Sequence, residues 1–448
     1  MDLRKRVGEL MPRVREELAE LVAMRSVADP GRFPPEECHR AAVWVADAFA
    51  EAGFATHLAD TADGSRAVLG SRPCGREDAS TVLLYAHYDV QPPLADGEWR
   101  TPPFRLTEVD GRWYGRGAAD CKGNILMHLT ALRALGDDVP VDLKLVVEGS
   151  EEQGTGGLEA FVPEHPALLR ADAILVGDTG NAAVGHPALT VSLRGMVNVV
   201  VDVEALPSAL HSGMFGGPAP DALAALVALL ATLRDDEGNT TVHGLPHDGR
   251  WSGAPYPAAR FRADAGLPDG TVLLGDGEVA DTLWARPALT VLAIDCPPVA
   301  GSAAALVPHA RARLNLRIPP GVDPHHAACA LSEHLLAAAP WGVDVSVEVE
   351  ALGEPFLADT GGPAHRAMRA ALETAYGRPA VRLGQGGSIP LCTVLAETYP
   401  DAEILLVGVE EPQARIHAPN ESVAPGEIAA MALAEALFLR DYGAGAGG

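Results

Sequence analysis

The sequence predicts an α/β domain on a mixed sheet, interrupted by an inserted α+β unit. Three observations point there. Short apolar runs at 82–86, 141–147, 173–177 and 403–409 alternate with helical stretches, as in a parallel sheet covered on both faces. Each run leads into residues that suit a cation: His87, the Glu151–Glu152 pair, Asp178 and, in the loop after the last run, His417. Between about 185 and 360 the pattern changes to alternating, β-branched runs with two helices. The expected divisions are 1–185, 186–360 and 361–448, with the first and third forming one discontinuous domain.

Taken in order, residues 1–22 read as an amphipathic helix without the long apolar stretch of a secretory signal. Residues 36–53 read as a second helix, with Val43, Trp44 and Phe49 inward and Gly53 as its cap. The strand at 82–86 runs out into His87-Tyr88-Asp89, where residues two apart face the same side. An isolated His-x-Asp would ordinarily be a polar turn. The same ending on later strands favours a cation site.

The segment WYGRGAADCKGN, 113–124, brackets Asp120 with glycines and opens a helix at 125–135. A Gly-rich loop before a helix could cradle a phosphate, but this one lacks the GxxxxGK[ST] spacing and centres on an acid. The strand at 141–147 ends in EGSEEQG, where two adjacent acids suit either a helix N-terminus or a buried cation. Ligands of open α/β sheets gather beyond the carboxyl ends of the strands. His87, Asp120, Glu152, Asp178 and His417 would therefore converge. Runs at 189–203, 289–294, 312–318 and 343–349, with helices at 220–233 and 324–339, make the inserted unit. Residues 244–277 read as an irregular excursion, and the Gly/Ala tail from Gly443 as frayed.

The chain has 448 residues and a formal net charge of -26, which argues against nucleic-acid or anionic-membrane partners. No apolar run is long enough to span a bilayer. Six scattered cysteines without a CxxC pair suit reduced thiols and a cytoplasmic protein.

The ordered motifs AHYDVQP, YGRGAADCKG, EGSEEQGT, GDTGN, LHSGMFGG, NLRIPPG, GQGGSIP and HAPNE resemble those of the M20 metallopeptidases, most of all their dipeptidase branch. The resemblance implies a phosphorylase/hydrolase-like mixed-sheet catalytic domain with a ferredoxin-like lid that also dimerises. It implies two divalent metal ions per chain, zinc foremost, with manganese or cobalt as alternatives. Asp120 would bridge the ions, with His87 and Asp178 on one and Glu152 and His417 on the other. Asp89 would orient His87, and Glu151 would act as general base on a metal-bridging water. His211 would reach the partner subunit's site and hold the carbonyl oxygen. Arg317 would take the substrate's carboxylate beside Gly387 and Ser388. The implied activity is hydrolysis of dipeptides or similar small amides with a free C-terminus, by a homodimer. An N-acyl amino acid amidohydrolase is the alternative within the family. A non-hydrolytic metal-binding scaffold is the alternative outside it.

The sequence departs from the family pattern in three places. Cys121 replaces the usual second aspartate, at a peptide bond that is cis in relatives. Ala209 replaces an aspartate before Leu210. A threonine is missing near Val307-Pro308. Lys122 is expected to brace its loop, and His186, His243, His247, His309, His325 and His326 to be structural or on the surface.

Overall fold

The structure, a computed structural model, describes residues 2–94 and 96–445. It forms two compact units. One contains the chain up to Val191, Ala358–Leu383 and the chain from Leu391 onward; the other contains Ser192–Leu357 and Gly384–Pro390.

The first unit is built on a mixed sheet. Its strands lie in the order Ala55–Asp60, Arg66–Arg72, Asp142–Glu148, Thr81–His87, Ala173–Gly177, Glu403–Val407 and Ala188–Leu193. The four strands from Asp142–Glu148 to Glu403–Val407 are parallel. Their cores are continuous apolar runs, as a sheet covered on both faces requires. In register, His87 faces Glu148, Tyr85 faces Val176, and Val407 faces Gly177. The four carboxyl ends therefore finish along one edge. That edge collects side chains that are hundreds of residues apart in the chain.

Helices Leu3–Ala23, Lys122–Leu135 and Pro425–Gly445 pack on one another, and Pro363–Tyr376 packs against the last of these. Lys122–Leu135 is buried along almost its whole length, its polar Lys122, Asn124, His128 and Thr130 included. Helix Pro35–Glu51 lies on the outer hairpin. Its buried stripe is Ala41, Ala42, Val45, Ala48 and Phe49, and the chain turns out of it at Gly53, whose φ is 91°. Val43, expected inward, is 38% exposed, because the stripe follows the small alanines instead. The final helix runs to Gly445, and the remainder of the tail expected to fray, 446–448, lies outside the described residues.

The second unit follows a βαββαβ order. Strands Gly195–Glu204, Ala288–Asp295, His309–Ile318 and Asp344–Gly353 form an antiparallel sheet, with Ala288–Asp295 and Asp344–Gly353 at the edges. Helices Ala222–Ala231 and Pro324–Ala337 supply apolar faces to its core. Val197, Val199, Val201 and Val203 alternate inward, a period-2 pattern plain in the sequence. The run expected as one strand over 189–203 is broken at Arg194 into two strands belonging to different sheets. A β-carbon at Gly195 would collide with the Gly353 carbonyl, so the break needs glycine there.

The loop Gly384–Pro390 falls in this second unit, although sequence reading groups it with 361–448. Its glycines explain the difference. Gly384 lies against Trp284 and Gly386 against Arg194, approaches that leave no room for a side chain. Residues 244–277 are irregular apart from the short helix Ala258–Asp264.

Candidate metal centre

His87 ends its strand fully buried. Its Nε2 lies 3.0 Å from Asp120 Oδ1 and 3.2 Å from Asp178 Oδ1. Its Nδ1 lies 3.1 Å from the carbonyl of Asp89 and 3.3 Å from that residue's Oδ1. With Nδ1 directed at acceptors, Nε2 is the nitrogen free to bind a metal. His417 faces the other side of Asp120: its Nε2 lies 3.0 Å from Asp120 Oδ2 and 3.0 Å from Glu152 Oε2. One carboxylate thus divides two histidine–carboxylate pairs. All five residues singled out as ligands come together in the first unit.

Asp89 governs the neighbouring turn. Its carboxylate accepts the backbone N–H of Glu151 at 3.2 Å and of Glu152 at 3.0 Å. Gln91 adds its side-chain amide to Glu152 Oε2 at 2.8 Å. The adjacent glutamates are therefore held by the same strand end that presents His87.

The Asp120 loop is held by the last residue of the HAPNE motif. Glu421, fully buried, accepts Arg116 Nη1 at 2.8 Å and the backbone N–H groups of Gly117, Ala119 and Asp120 at 2.9, 3.0 and 3.1 Å. Asn420 ties the His417 loop to the Glu98–Arg100 segment through both ends of its amide. Lys122 donates to the carbonyls of Leu21 and Met24, bracing the loop against the first helix. The Asp120–Cys121 peptide bond is cis. The Cys121 thiol donates to the Gly177 carbonyl at 2.9 Å, and burial pushes its pKa up to about 12. Cys121 is thus a neutral thiol committed to the backbone.

The electrostatics fit divalent cations. Burial, then the Asp120 charge, pushes Glu152 up to about 7. Burial and Asp178 hold Glu151 well above the usual carboxylate range, and burial raises Asp178 as well. Burial works against a charged His417, yet its hydrogen bonds to Asp120 and Glu152 lift it to about 11. Buried acids this close repel one another unless positive charge lies among them. Two imidazoles and three carboxylates form a donor set suited to zinc or a similar ion.

One acid was missed entirely. Glu410 places a carboxylate oxygen within 4.8 Å of oxygens from Asp120 and Asp178. The signal was present: two acids, Glu410-Glu411, directly follow an apolar strand, the same pattern that drew attention to Glu151-Glu152.

The remaining predicted site residues lie in the second unit. His211 is exposed on a short strand and accepts the Gly213 N–H at 3.1 Å. Arg317 is half-buried; its Nε donates to Asn315 Oδ1 at 3.1 Å and its Nη1 to Ser388 Oγ at 3.4 Å, with Gly387 on the same loop. Arg194, not foreseen, is buried nearby. Burial and the charge of Arg317 lower its pKa to about 10, and its Nε and Nη1 meet no acceptor among the described residues.

Comparison with known proteins shows the family. Residues 83–441 match the model of peptidase family M20/M25/M40. The chain belongs to that family. Among its relatives, a cysteinylglycine-S-conjugate dipeptidase of Corynebacterium striatum is 43% identical over 440 residues, 96% of each chain. A human β-Ala-His dipeptidase is 28% identical over 377 residues, covering 80% of this chain and 73% of the relative. The crystal structure of human carnosine dipeptidase 1 superposes with a TM-score of 0.83 at 25% identity, over 98% of each chain. The dipeptidase Dug1p of Saccharomyces cerevisiae shares the fold, with a TM-score of 0.84 at 21% identity over 99% of this chain and 98% of that one. As an M20 member the chain is a hydrolase of peptide bonds and a metallopeptidase. Among the described residues, no helix is long and apolar enough to cross a membrane.

Proposed function

We propose that the chain is a dinuclear-metal dipeptidase that hydrolyses the amide bond of dipeptides and similar small substrates with a free C-terminal carboxylate. The observation that carries this reading is the division of Asp120, whose two oxygens face different histidine–carboxylate pairs. His87 and Asp178 would hold one divalent cation, and Glu152 and His417 the other, with Asp120 shared. Zinc suits this nitrogen and oxygen donor set, and manganese or cobalt could replace it. When bound, the cations would supply Lewis acidity toward the scissile carbonyl and ease the ionisation of water.

The chain's own residues do the rest. Glu151 takes the proton of the attacking water and returns it to the leaving amine, while its neighbour Glu152 serves as ligand. Asp89 orients both the His87 ring and the turn carrying the two glutamates. His211 holds the carbonyl oxygen, reaching the partner's site in a homodimer formed through the second unit. Arg317 takes the substrate carboxylate beside Gly387 and Ser388. Its guanidinium pairs with no acid among the described residues and donates to neutral oxygens, so its charge is free for a carboxylate. Arginine meets a carboxylate with two parallel N–H donors. The setting we infer is the cytoplasm.

The test is a substrate panel. Purified protein with zinc, manganese or cobalt is incubated with dipeptides, including cysteinylglycine and its S-substituted forms, and with N-acetyl amino acids. Released amine is read by mass spectrometry. Cleavage of dipeptides alone supports the proposal. Cleavage of the N-acetyl set alone moves the assignment to an amidohydrolase. Inactivity on both sets with two metals bound favours a scaffold.

A further inference from the structure

We propose that Glu410 is a sixth protein ligand of the metal centre, joining His87, Asp120 and Asp178 around one of the two cations; this rests on the dinuclear reading above. Glu410 is 6% exposed, and its Oε1 meets no hydrogen-bond donor among the described residues. A buried carboxylate oxygen without a donor is costly, by about 1–3 kcal/mol or more if charged, unless a partner is supplied. No arginine, lysine or histidine pairs with it among the described residues. Beside it stand Asp120 and Asp178, with the His87 and His417 imidazoles near but not hydrogen-bonded to it. A cation is the partner that satisfies all three acids at once.

The distances allow it. The three carboxylates offer oxygens all within 4.8 Å of one another. Oxygens bound to one ion at about 2.1 Å lie about 3.4 Å apart at tetrahedral angles. Each side chain would draw inward by up to about 0.7 Å as the cation binds.

The backbone holds Glu410 in this place. Its carbonyl accepts the Asn181 N–H at 2.8 Å, and Gly180 forms a β-bridge with it. A β-carbon at Gly180 would collide with the Glu410 carbonyl, so the approach requires glycine. The loop that carries Asp178 is thereby clamped directly to the residue after the Glu403–Val407 strand and its Gly408-Val409 exit. Charge counting adds a consequence. Asp120, Glu152 and Asp178 carry three negative charges toward two dications; Glu410 makes four and balances them. The added carboxylate should tighten the cation on the Asp178 side.

The experiment uses the full chain, stripped of metal and titrated with zinc against a chromophoric chelator, and in parallel with cobalt, whose visible absorption reports coordination number. The variants are Glu410→Gln and Glu410→Asp. Wild type should bind two ions. Glu410→Gln should weaken one of them by about 10- to 100-fold and change its cobalt spectrum, leaving the other ion unaltered. Glu410→Asp, which keeps the charge on a shorter arm, should fall between. Thermal unfolding of the metal-free proteins separates ligation from a structural role. Glu410→Gln removes a buried, unpaired acid, so without metal it should be as stable as wild type or more so. Two tight ions with unchanged affinities and spectra in Glu410→Gln would overturn the proposal while leaving the dinuclear reading intact. A metal-free Glu410→Gln less stable than wild type would assign Glu410 to structure and overturn it too. Wild type that binds no divalent ion would overturn the dinuclear reading, and this inference with it.

Discussion

Replacement of Glu421 by alanine should destabilise the first unit by about 3–5 kcal/mol, with no substrate or metal present. The side chain is fully buried and accepts one guanidinium and three backbone N–H groups, at 2.8 to 3.1 Å. Alanine leaves the Arg116 guanidinium, itself 1% exposed, as a buried charge without its acid. Breaking such a pair by removing one partner costs about 3–5 kcal/mol, and each stranded N–H adds about 1–3 kcal/mol where water cannot reach it. Water entering the space left by the carboxylate offsets part of this second cost, so the sum stays near the range for the pair. A typical domain has only about 5–15 kcal/mol in total, so the variant should sit close to unfolding. Burial raises the Glu421 pKa, and Arg116 only partly reverses it. The intact pair is thus of small net worth while its half is expensive. Replacing both residues with apolar side chains should therefore recover much of the loss. Urea unfolding of the metal-free proteins, followed by far-ultraviolet circular dichroism, measures each corner of that cycle. A loss below about 1 kcal/mol for Glu421→Ala would refute the reasoning, because it would mean the four donors find other acceptors.

Four further outcomes are expected. Glu151→Gln should retain two metal ions by elemental analysis yet lose at least about 100-fold in kcat; near-normal turnover would remove Glu151 from the mechanism. Arg317→Lys should raise KM for substrates with a free carboxylate and leave amidated analogues little changed, since lysine has no paired donors; equal losses on both would count against its role. On the proposed homodimer, mixing His211→Ala with Glu151→Gln chains should restore part of the activity that each variant lacks alone; verified heterodimers without recovery would place His211 outside the partner's site. His128 gives a pH test. Burial disfavours its charge, but Glu435 raises its pKa above the ordinary value, and both ring nitrogens face acceptors, Glu435 and the Tyr85 carbonyl. The stability it contributes is full below about pH 6.5 and is lost as pH rises through the raised folded value. Melting temperatures between pH 6 and 9 should fall less steeply in His128→Gln, and parallel curves would exclude the effect.

Much of the site was legible because its residues sit at strand ends. An apolar run of five to seven residues announces a buried strand, and the first polar residue beyond it must lie at the sheet's edge. His87 and Asp178 could be found in that way, and Glu152 four residues beyond the acid that closes its strand. Asp120 and His417 belong to loops with no period of their own, and were marked by the glycines around the one and by the apolar run before the other. Glu410 directly follows the apolar run 403–409, but an acid there is also an ordinary loop residue, and His417 seven residues later is the more specific metal-type side chain. The strand break at Arg194 was hidden by β-branched residues on both sides, which read as one run. The loop 384–390 was misplaced because its contacts, with Trp284 and Arg194, are far away in sequence.

By itself the sequence determined where the main apolar strands and the larger helices lie, which polar residues stand at their ends, and that an alternating β unit interrupts an α/β domain. These follow from local periodicity, which short stretches carry complete. Only the tertiary structure decided which ends meet. The order that sets Thr81–His87 between Asp142–Glu148 and Ala173–Gly177, with Glu403–Val407 next, brings four distant strand ends to one edge. It is there that the two oxygens of Asp120 face different partners, that Glu421 grips the loop from 301 residues away, and that Glu410 joins the acids. The energy of such an edge lies in charges and hydrogen bonds between segments far apart in the chain, and no local pattern records them.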